Sequence, residues 1–361
     1  MGVQNIKQKF PNSKKDASGV IELIRNGADF EDNNIRSLNH FFDPATDTGL
    51  LLTSPTWALE DKGQIPVLQA YSYADARQYF HDALTKADKT DRDKSFGLLF
   101  ESLGRVIHHI QDMAQPQHVR LDTHLKFSDS DKPDWFFENG SRYEAYTLSK
   151  YKSDNEGKSR PLPTGYDPVY AGADTATFTT PRKFWTTTVG ADNGGKGLAE
   201  YTNRGFFSAG TNADSGKYVS PTINPKAGVE MTIGVLCDES AANKNPCPPE
   251  LDAFSGSTIT FFSSEVKDTL RNKTDVNQKA TSSSIFDQDL KEANEPPVYA
   301  LNRFNFDAAH EFLIPRAVAY SAGLIDYFFR GKIDLISNPD SPGSYIIKNI
   351  GNEEMNGSFT L

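Results

Sequence analysis

The side chains with the clearest chemical potential lie in one short stretch, residues 108–118. His108 and Asp112 are four residues apart, so on a helix they share one face, one turn apart. His118 follows Pro116, a residue that tends to stop or kink a helix and so can direct a third ligand toward the same point. Imidazole and carboxylate groups are ligands that zinc prefers. The spacing therefore predicts a metal site in the interior of a helical bundle.

A long buried helix is needed to carry these ligands. Apolar residues recur at helical spacing over residues 94–113 and form a broad face, which predicts a helix packed among others. Most of residues 15–150 shows helical patterns of this kind. One helix is predicted at Val20–Arg25, with Gly27 as its C-terminal glycine. Another is predicted over Tyr73–Ala87.

The pattern changes after residue 150. Gly, Pro, Thr, Asn and Asp are frequent over residues 150–306, which predicts a loop-rich insertion with short helices or strands. The helical pattern returns from Asp307 and ends at Gly331. Residues 332–361 contain strand-like segments and predict a linker and the start of a truncated C-terminal β domain. The chain is thus predicted to be mainly α, with its principal domain over residues 1–331.

Composition narrows the classes of function. The 361 residues carry a formal charge of −10, which argues against a nucleic-acid scaffold, since phosphate contacts need basic surfaces. No stretch has the apolar length of a membrane span. The two cysteines, Cys237 and Cys247, close a short polar loop, and a disulfide of an exported protein is favoured over two free thiols. No signal peptide is visible at the start of the chain.

The other histidines have ordinary interpretations. His40 alone is more typical of a buried core histidine than of a ligand. His109 points about 100° away from His108 around the helix and is expected to pack behind the ligands or to contact them. His81 is expected to be solvated, and His310 to be a cap or a surface residue at the start of the last helix. Acids such as Asp29 and Glu144 would be solvated on composition alone.

Taken together, the segments resemble the zinc-dependent phospholipase C and S1/P1 nuclease superfamily, and within it the proteobacterial phospholipase C branch. The early segments Gly27–Glu31 and His40–Pro44 match the family's first acidic and histidine ligands. Residues 108–118 match its central motif with the correct spacing. Residues 141–144 resemble the later acidic ligand, and residues 316–323 resemble the closing helix. Four ordered motifs make coincidence improbable.

The resemblance implies a zinc cluster with these ligands in the chain: Asp29, His40, His108, Asp112, His118, His124 and Glu144. The first four would bind one ion, with Asp112 bridging to a second ion held by His118 and Glu144. A further histidine of the family falls at Gly140, and His124 is expected to replace it. A third zinc is expected only with an N-terminal Trp and His, which, like a signal peptide, would lie upstream of this chain.

Phosphodiester cleavage is the activity that the resemblance implies, with zinc activating a water and Asp29 as general base. Phe30 falls at the place of an aromatic that helps to cage a choline headgroup, although simple core packing is the alternative. The expected protein is a monomeric, secreted or periplasmic phospholipase C acting on phosphatidylcholine-like lipids at the membrane surface. Alternatives are an S1/P1-type single-strand nuclease or 3′-nucleotidase, and a non-catalytic zinc-stabilised binding module.

Overall fold

The computed structural model describes residues 7–14, 16–32, 34–60, 69–122, 141–151, 161–167, 169, 176–188, 195–208, 228–242, 245–295, 297–331 and 333–350. Ten α-helices lie in this part: α1 (Val20–Glu31), α2 (Ser54–Leu59), α3 (Tyr73–Thr85), α4 (Lys89–Asp112), α5 (Pro116–Val119), α6 (Arg142–Tyr151), α7 (Leu198–Gly205), α8 (Ile233–Ala242), α9 (Asp287–Glu292) and α10 (Arg303–Phe328). The strands are β1 (Lys9–Pro11), β2 (Ala17–Gly19), β3 (Val229–Thr232), β4 (Thr258–Asp268), β5 (Lys273–Ser282), β6 (Ile333–Ser337) and β7 (Tyr345–Asn349). Short 3-10 turns follow α1 and precede α7 and β4. The prediction of a mainly helical chain is confirmed.

Helix α4 lies at the centre and contacts α1, α2, α3 and α10. Its buried residues follow the predicted apolar face; Leu99 and Leu103 pack against α1 and Phe328, while Val106 and Ile110 pack into the larger core around α10. The helix begins after Asp88, whose side chain accepts a hydrogen bond from the backbone N–H of Asp91. It therefore starts earlier than the sequence pattern predicted.

Two glycines let α1 and α4 approach closely. A Cβ on Gly27 would lie 2.1 Å from the carbonyl oxygen of Glu101, and a Cβ on Gly104 would lie 2.0 Å from that of Ile24. Any side chain at either position would collide with the neighbouring backbone. The prediction that α1 ends at Gly27 is wrong, because this glycine serves helix packing and the helix continues to Glu31. As a result, the end of α1 lies beside the ligand-bearing part of α4.

Residues 150–306 contain more regular structure than the sequence indicated. Strands β3, β4 and β5 form an antiparallel sheet in that order, and β4 alone spans 11 residues. Val266 of β4 and Tyr201 of α7 belong to the same core cluster as Leu313 of α10. Buried Arg316 of α10 pairs with Asp268 at 2.7 Å. This part of the predicted insertion therefore shares the core of the helical bundle.

Of the remaining predictions about the chain's periphery, the disulfide is confirmed. Cys237 and Cys247 form a disulfide between α8 and the segment that follows it. β6 and β7 pair as an antiparallel hairpin, where strand-like sequence was recognised. The predicted strand at Ser358–Leu361 lies outside the described residues. No helix in the described ranges is long and apolar enough to cross a membrane.

Candidate metal centre

Four side chains from three segments converge beside the last turns of α4. Asp32 directly follows α1, His40 follows the 3-10 turn Asn34–Asn39, and the other two are His108 and Asp112. His40 Nδ1 lies 3.2 Å from Asp112 Oδ2 and 3.6 Å from Asp32 Oδ1. His108 Nε2 lies 3.4 Å and 3.7 Å from the same two oxygens, and 3.3 Å from His40 Nδ1. Both carboxylates thus contact the same two histidine nitrogens.

Three of these residues have the spacing of ligands to one metal ion. Zinc binds nitrogen and oxygen ligands at about 2.0–2.2 Å, which places neighbouring ligand atoms of a tetrahedron roughly 3.3–3.6 Å apart. The distances among the atoms of Asp32, His40 and His108 lie between 3.3 and 3.7 Å, and Asp112 Oδ2 contacts both histidine nitrogens at 3.2 and 3.4 Å. Asp32, His40 and His108 form a group that could hold a metal ion. Their donor set suits zinc, while the geometry alone leaves the choice of metal open.

The charges around the centre favour metal-binding forms of its ligands. Burial alone would raise the pKa of Asp112, but His108, His40 and His118 outweigh it and hold this pKa well below its usual range. Burial lowers the pKa of His40 far below its ordinary value, so the ring is neutral and keeps a lone pair. Asp112 Oδ2 is buried and makes no hydrogen bond within the described part of the chain. A cation at the centre would satisfy that oxygen.

Asp32 forms the open side of the centre. Its side chain is 67 % exposed, whereas that of His40 is 2 % exposed. Even so, the pKa of Asp32 is raised, because one side of the carboxylate is buried and Asp112 and Glu144 repel its charge. Solvent can therefore reach the centre past Asp32, while His40 closes it from inside.

A second set of ligands lies next to the first but is less complete. Asp112 Oδ1 is 3.3 Å from His118 Nδ1, and His118 Nε2 is 3.3 Å from Glu144 Oε1. Burial alone would lower the pKa of His118, but the two acids outweigh burial and raise it to about 10. The two oxygens of Asp112 thus face different partners, as a bridging carboxylate requires. A metal ion could take only one of the two His118 nitrogens, and His124 and Gly140 lie outside the described residues.

Asp29 is not brought to the centre. It lies on the exposed side of α1 and belongs to neither group that could hold a metal ion, whereas Asp32 lies three residues further on and faces the histidines. The reason is that α1 continues past Gly27, so Asp29 remains in the last turns of a helix and Asp32 becomes the first residue after it. We therefore replace Asp29 by Asp32 in the candidate ligand set, and the proposed general-base role of Asp29 loses its geometric basis.

A second group of three, Glu31, His40 and His109, could also hold a metal ion by distance. The carboxylate of Glu31, however, already accepts several hydrogen bonds. Glu31 accepts hydrogen bonds from Arg36, from Arg105 and from Trp57 Nε1, in addition to its contact with His109. Two guanidinium groups beside the carboxylate disfavour a further cation. The group around Asp32 is therefore the better candidate, and His109 lies behind the ligands, as the sequence indicated.

Behind the centre, Ser54, His109 and Glu31 form a chain with the composition of a catalytic triad. Ser54 Oγ lies 3.0 Å from His109 Nδ1, and His109 Nε2 lies 3.1 Å from Glu31 Oε1. All three side chains are buried, and Trp185 Nε1 donates a hydrogen bond to Ser54 Oγ at 3.1 Å. A nucleophile must reach its substrate. These three hydrogen-bonded side chains therefore have a structural role and do not indicate a serine hydrolase.

Three other residues named from the sequence have defined surroundings. Phe30 is half-buried, and Lys14 Nζ lies 4.3 Å from the centre of its ring, so a cation already contacts the residue expected to help cage choline. His310 is fully buried within α10 and contacts Thr147 of α6 at 2.7 Å. The expectation of a cap or surface residue there is wrong, because α10 begins several residues earlier than the sequence pattern suggested. His81 is exposed, as expected.

Comparison with known proteins adds no identification. No family model matches the chain. No curated protein and no solved structure shows significant similarity to it. The class of site is therefore defined by the geometry alone: a partly buried centre of histidine and carboxylate ligands at the end of a central helix.

Proposed function

We propose that the chain is a zinc-dependent phosphodiester hydrolase of the phospholipase C type. The observation that carries the proposal is the group Asp32, His40 and His108, whose ligand atoms have the spacing of a zinc site, with Asp112 Oδ2 in contact with both histidines. The resemblance of the surrounding motifs to the zinc-dependent phospholipases C and S1/P1 nucleases supports the same class of reaction. The geometry and the resemblance both concern His108 and Asp112 of α4, because the central motif of the family falls on these two residues.

When bound, zinc supplies a Lewis acid for the phosphoryl oxygens and lowers the pKa of a coordinated water toward 7. The protein would hold it with His40 and His108 as neutral ligands and with the ionised carboxylate of Asp112. His118 and Glu144 lie on the far side of Asp112 and would extend the centre toward a second ion. Asp32 borders the open side, where a substrate phosphate would approach.

A lipid phosphodiester fits the chain better than a polynucleotide. The net charge of −10 disfavours a polyanionic substrate, whereas a zwitterionic headgroup carries no net charge. Phe30 presents an aromatic face that already contacts the ammonium group of Lys14, which is the type of contact a choline group would make. The disulfide Cys237–Cys247 is consistent with an oxidising compartment and supports export. These features favour phosphatidylcholine-like substrates.

The test is zinc content and activity in one set of variants. Mass spectrometry of purified protein should find about one to two zinc ions per chain. His108→Ala and Asp32→Asn should lower that number, whereas Asp29→Asn makes the same chemical change three residues away on the exposed side and should not. Headgroup release from phosphatidylcholine micelles and cleavage of single-stranded DNA are then measured in parallel.

Each outcome has a defined meaning. Zinc-dependent headgroup release that disappears with Asp32→Asn supports a phospholipase C. Cleavage of DNA alone would replace the lipid substrate by a nucleic acid on the same metals. Zinc binding without either activity would leave a zinc-stabilised binding module, and a wild-type chain without zinc would end the proposal. Loss of zinc with Asp29→Asn but not with Asp32→Asn would restore the ligand predicted from the sequence.

A further inference from the structure

A buried carboxylate lies directly behind the metal centre. Glu31 is fully buried, and its oxygens accept hydrogen bonds from Trp57 Nε1 at 2.8 Å, from Arg36 Nη2 at 2.7 Å and from Arg105 Nη1 at 3.1 Å. Burying a carboxylate is costly unless several donors compensate it. Two guanidinium groups and one indole N–H donate to this carboxylate, which is the surrounding of an ionised acid. Such a group needs an explanation beyond core packing.

The direction of each hydrogen bond at Glu31 and His109 follows from the partners. An ionised carboxylate only accepts, so His109 Nε2 carries a proton and donates to Glu31 Oε1. Trp185 Nε1 only donates, and Ser54 Oγ accepts from it. The hydroxyl hydrogen of Ser54 can then point to Nδ1 of His109. The chain of hydrogen bonds thus fixes the tautomer and the orientation of His109.

His40 lies between this chain and the metal centre. Its ring meets the ring of His109 edge to face, with centroids 4.8 Å apart. One of its nitrogens lies within 4.8 Å of a Glu31 oxygen and of a His109 nitrogen. Nδ1 faces Asp112 and the rest of the centre, while Nε2 is buried and makes no hydrogen bond among the described residues. Nδ1 therefore faces the candidate metal centre, and the ring as a whole lies against the buried network.

We propose that Glu31 is a positioning residue that, together with His109, fixes the tautomer and orientation of His40 at the metal centre; this inference rests on the proposed function. When His40 binds a metal through Nδ1, its proton must lie on Nε2. The negative charge of Glu31, within 4.8 Å of one of the ring nitrogens, would stabilise a buried N–H on the ring. A carboxylate behind a metal-bound histidine has this effect in other zinc sites, and its removal weakens metal binding by about 10- to 100-fold.

The experiment compares Glu31→Gln with Glu101→Gln in the full chain. Glu101 is a suitable control because it is also a buried acid that pairs with Arg105, but its other partners are the backbone and hydroxyl of Ser13. Zinc affinity is measured by competition with a chelator, and the protonated nitrogen of His40 is identified from long-range ¹H–¹⁵N spectra of histidine-labelled protein. Unfolding in urea reports the stability of each variant.

We expect zinc-loaded wild type to carry the His40 proton on Nε2. Glu31→Gln should weaken zinc binding by about 10- to 100-fold and remove the single tautomer, while Glu101→Gln should change stability without changing either property. Equal zinc affinity in wild type and Glu31→Gln would overturn the inference and leave the hydrolase proposal intact. Should Glu31→Gln not fold, the wild-type spectrum still decides, since a proton on His40 Nδ1 with zinc bound would overturn it. Zinc binding without phosphodiester hydrolysis would end only the proposed function.

Discussion

His310 should make the protein sensitive to acid. The ring is fully buried in α10, with Nε2 2.7 Å from Thr147 Oγ1. That hydroxyl donates its hydrogen to the carbonyl of Tyr143, so the ring donates from Nε2. Its Nδ1 is buried and makes no hydrogen bond within the described residues. Burial and, to a lesser extent, Lys150 lower the pKa of His310 from 6.5 to about 3, and nearby Asp307 offsets only part of this effect.

The sign and size of the effect follow from the two pKa values. The unfolded chain binds a proton at this histidine below pH 6.5, whereas the folded chain does so only near pH 3. The contribution of His310 to stability is therefore complete above pH 6.5 and is lost as the pH falls toward 3. Each pH unit in that window costs about 1.4 kcal/mol, so acidification from pH 6.5 to 5 should remove about 2 kcal/mol.

The assay is urea unfolding of wild type, His310→Gln and His81→Gln at pH 7 and pH 5. Glutamine at position 310 can still donate to Thr147 but cannot take up a proton. The exposed His81 provides the control for a change of histidine to glutamine elsewhere. Wild type and His81→Gln should lose about 2 kcal/mol more than His310→Gln between the two pH values. The same loss in all three proteins would refute the assignment of acid sensitivity to His310.

Three further predictions concern stability and can be checked by chemical denaturation. Arg316→Met should lower the free energy of unfolding by about 3–5 kcal/mol, because it leaves the buried carboxylate of Asp268 without its partner; a loss below about 1 kcal/mol would contradict this. Reducing the disulfide of Cys237, which closes a loop with a sequence separation of 10, should cost about 2–3 kcal/mol, and a Cys237→Ser variant should then show no further effect of reductant. Trp57→Phe removes one donor from buried Glu31 and should cost about 1–3 kcal/mol, and unchanged stability would show that the donor is dispensable.

Much of the centre could be predicted from the sequence because its chemistry is local. The helical spacing of His108 and Asp112 and the apolar face of residues 94–113 placed both ligands in the interior on one long helix, and α4 has that position. His118 follows from the same stretch, because Pro116 begins a new short helix and turns the chain back toward Asp112. His40 could be associated with them only through the resemblance, since its proximity depends on tertiary packing.

The errors arise where a local signal has two physical causes. A glycine near the end of a helical pattern can terminate the helix or permit close packing, and at Gly27 the contact with α4 decides for packing. The acidic ligand was assigned to Asp29 through the resemblance of residues 27–31, and Asp32, just after the end of α1, is the acid that lies beside the histidines. His310 was placed on the surface because the start of α10 was set too late, and its burial depends on aromatic residues of α6 that the sequence does not associate with it. Strands β4 and β5 were missed because their sequences are polar. Their buried polar groups are compensated by partners elsewhere in the chain, which the local sequence does not reveal.

The close contact of α1 and α4 has a consequence for how the centre can vary. At Gly27 and Gly104 the two helices meet backbone to backbone, so peptide groups and not side-chain rotamers set the distance between them. A single added methyl group at either glycine would separate the helices and change the spacing of the ligands. In a search for distant relatives or in grafting the centre onto another scaffold, this pair of glycines should therefore be treated as part of the metal site.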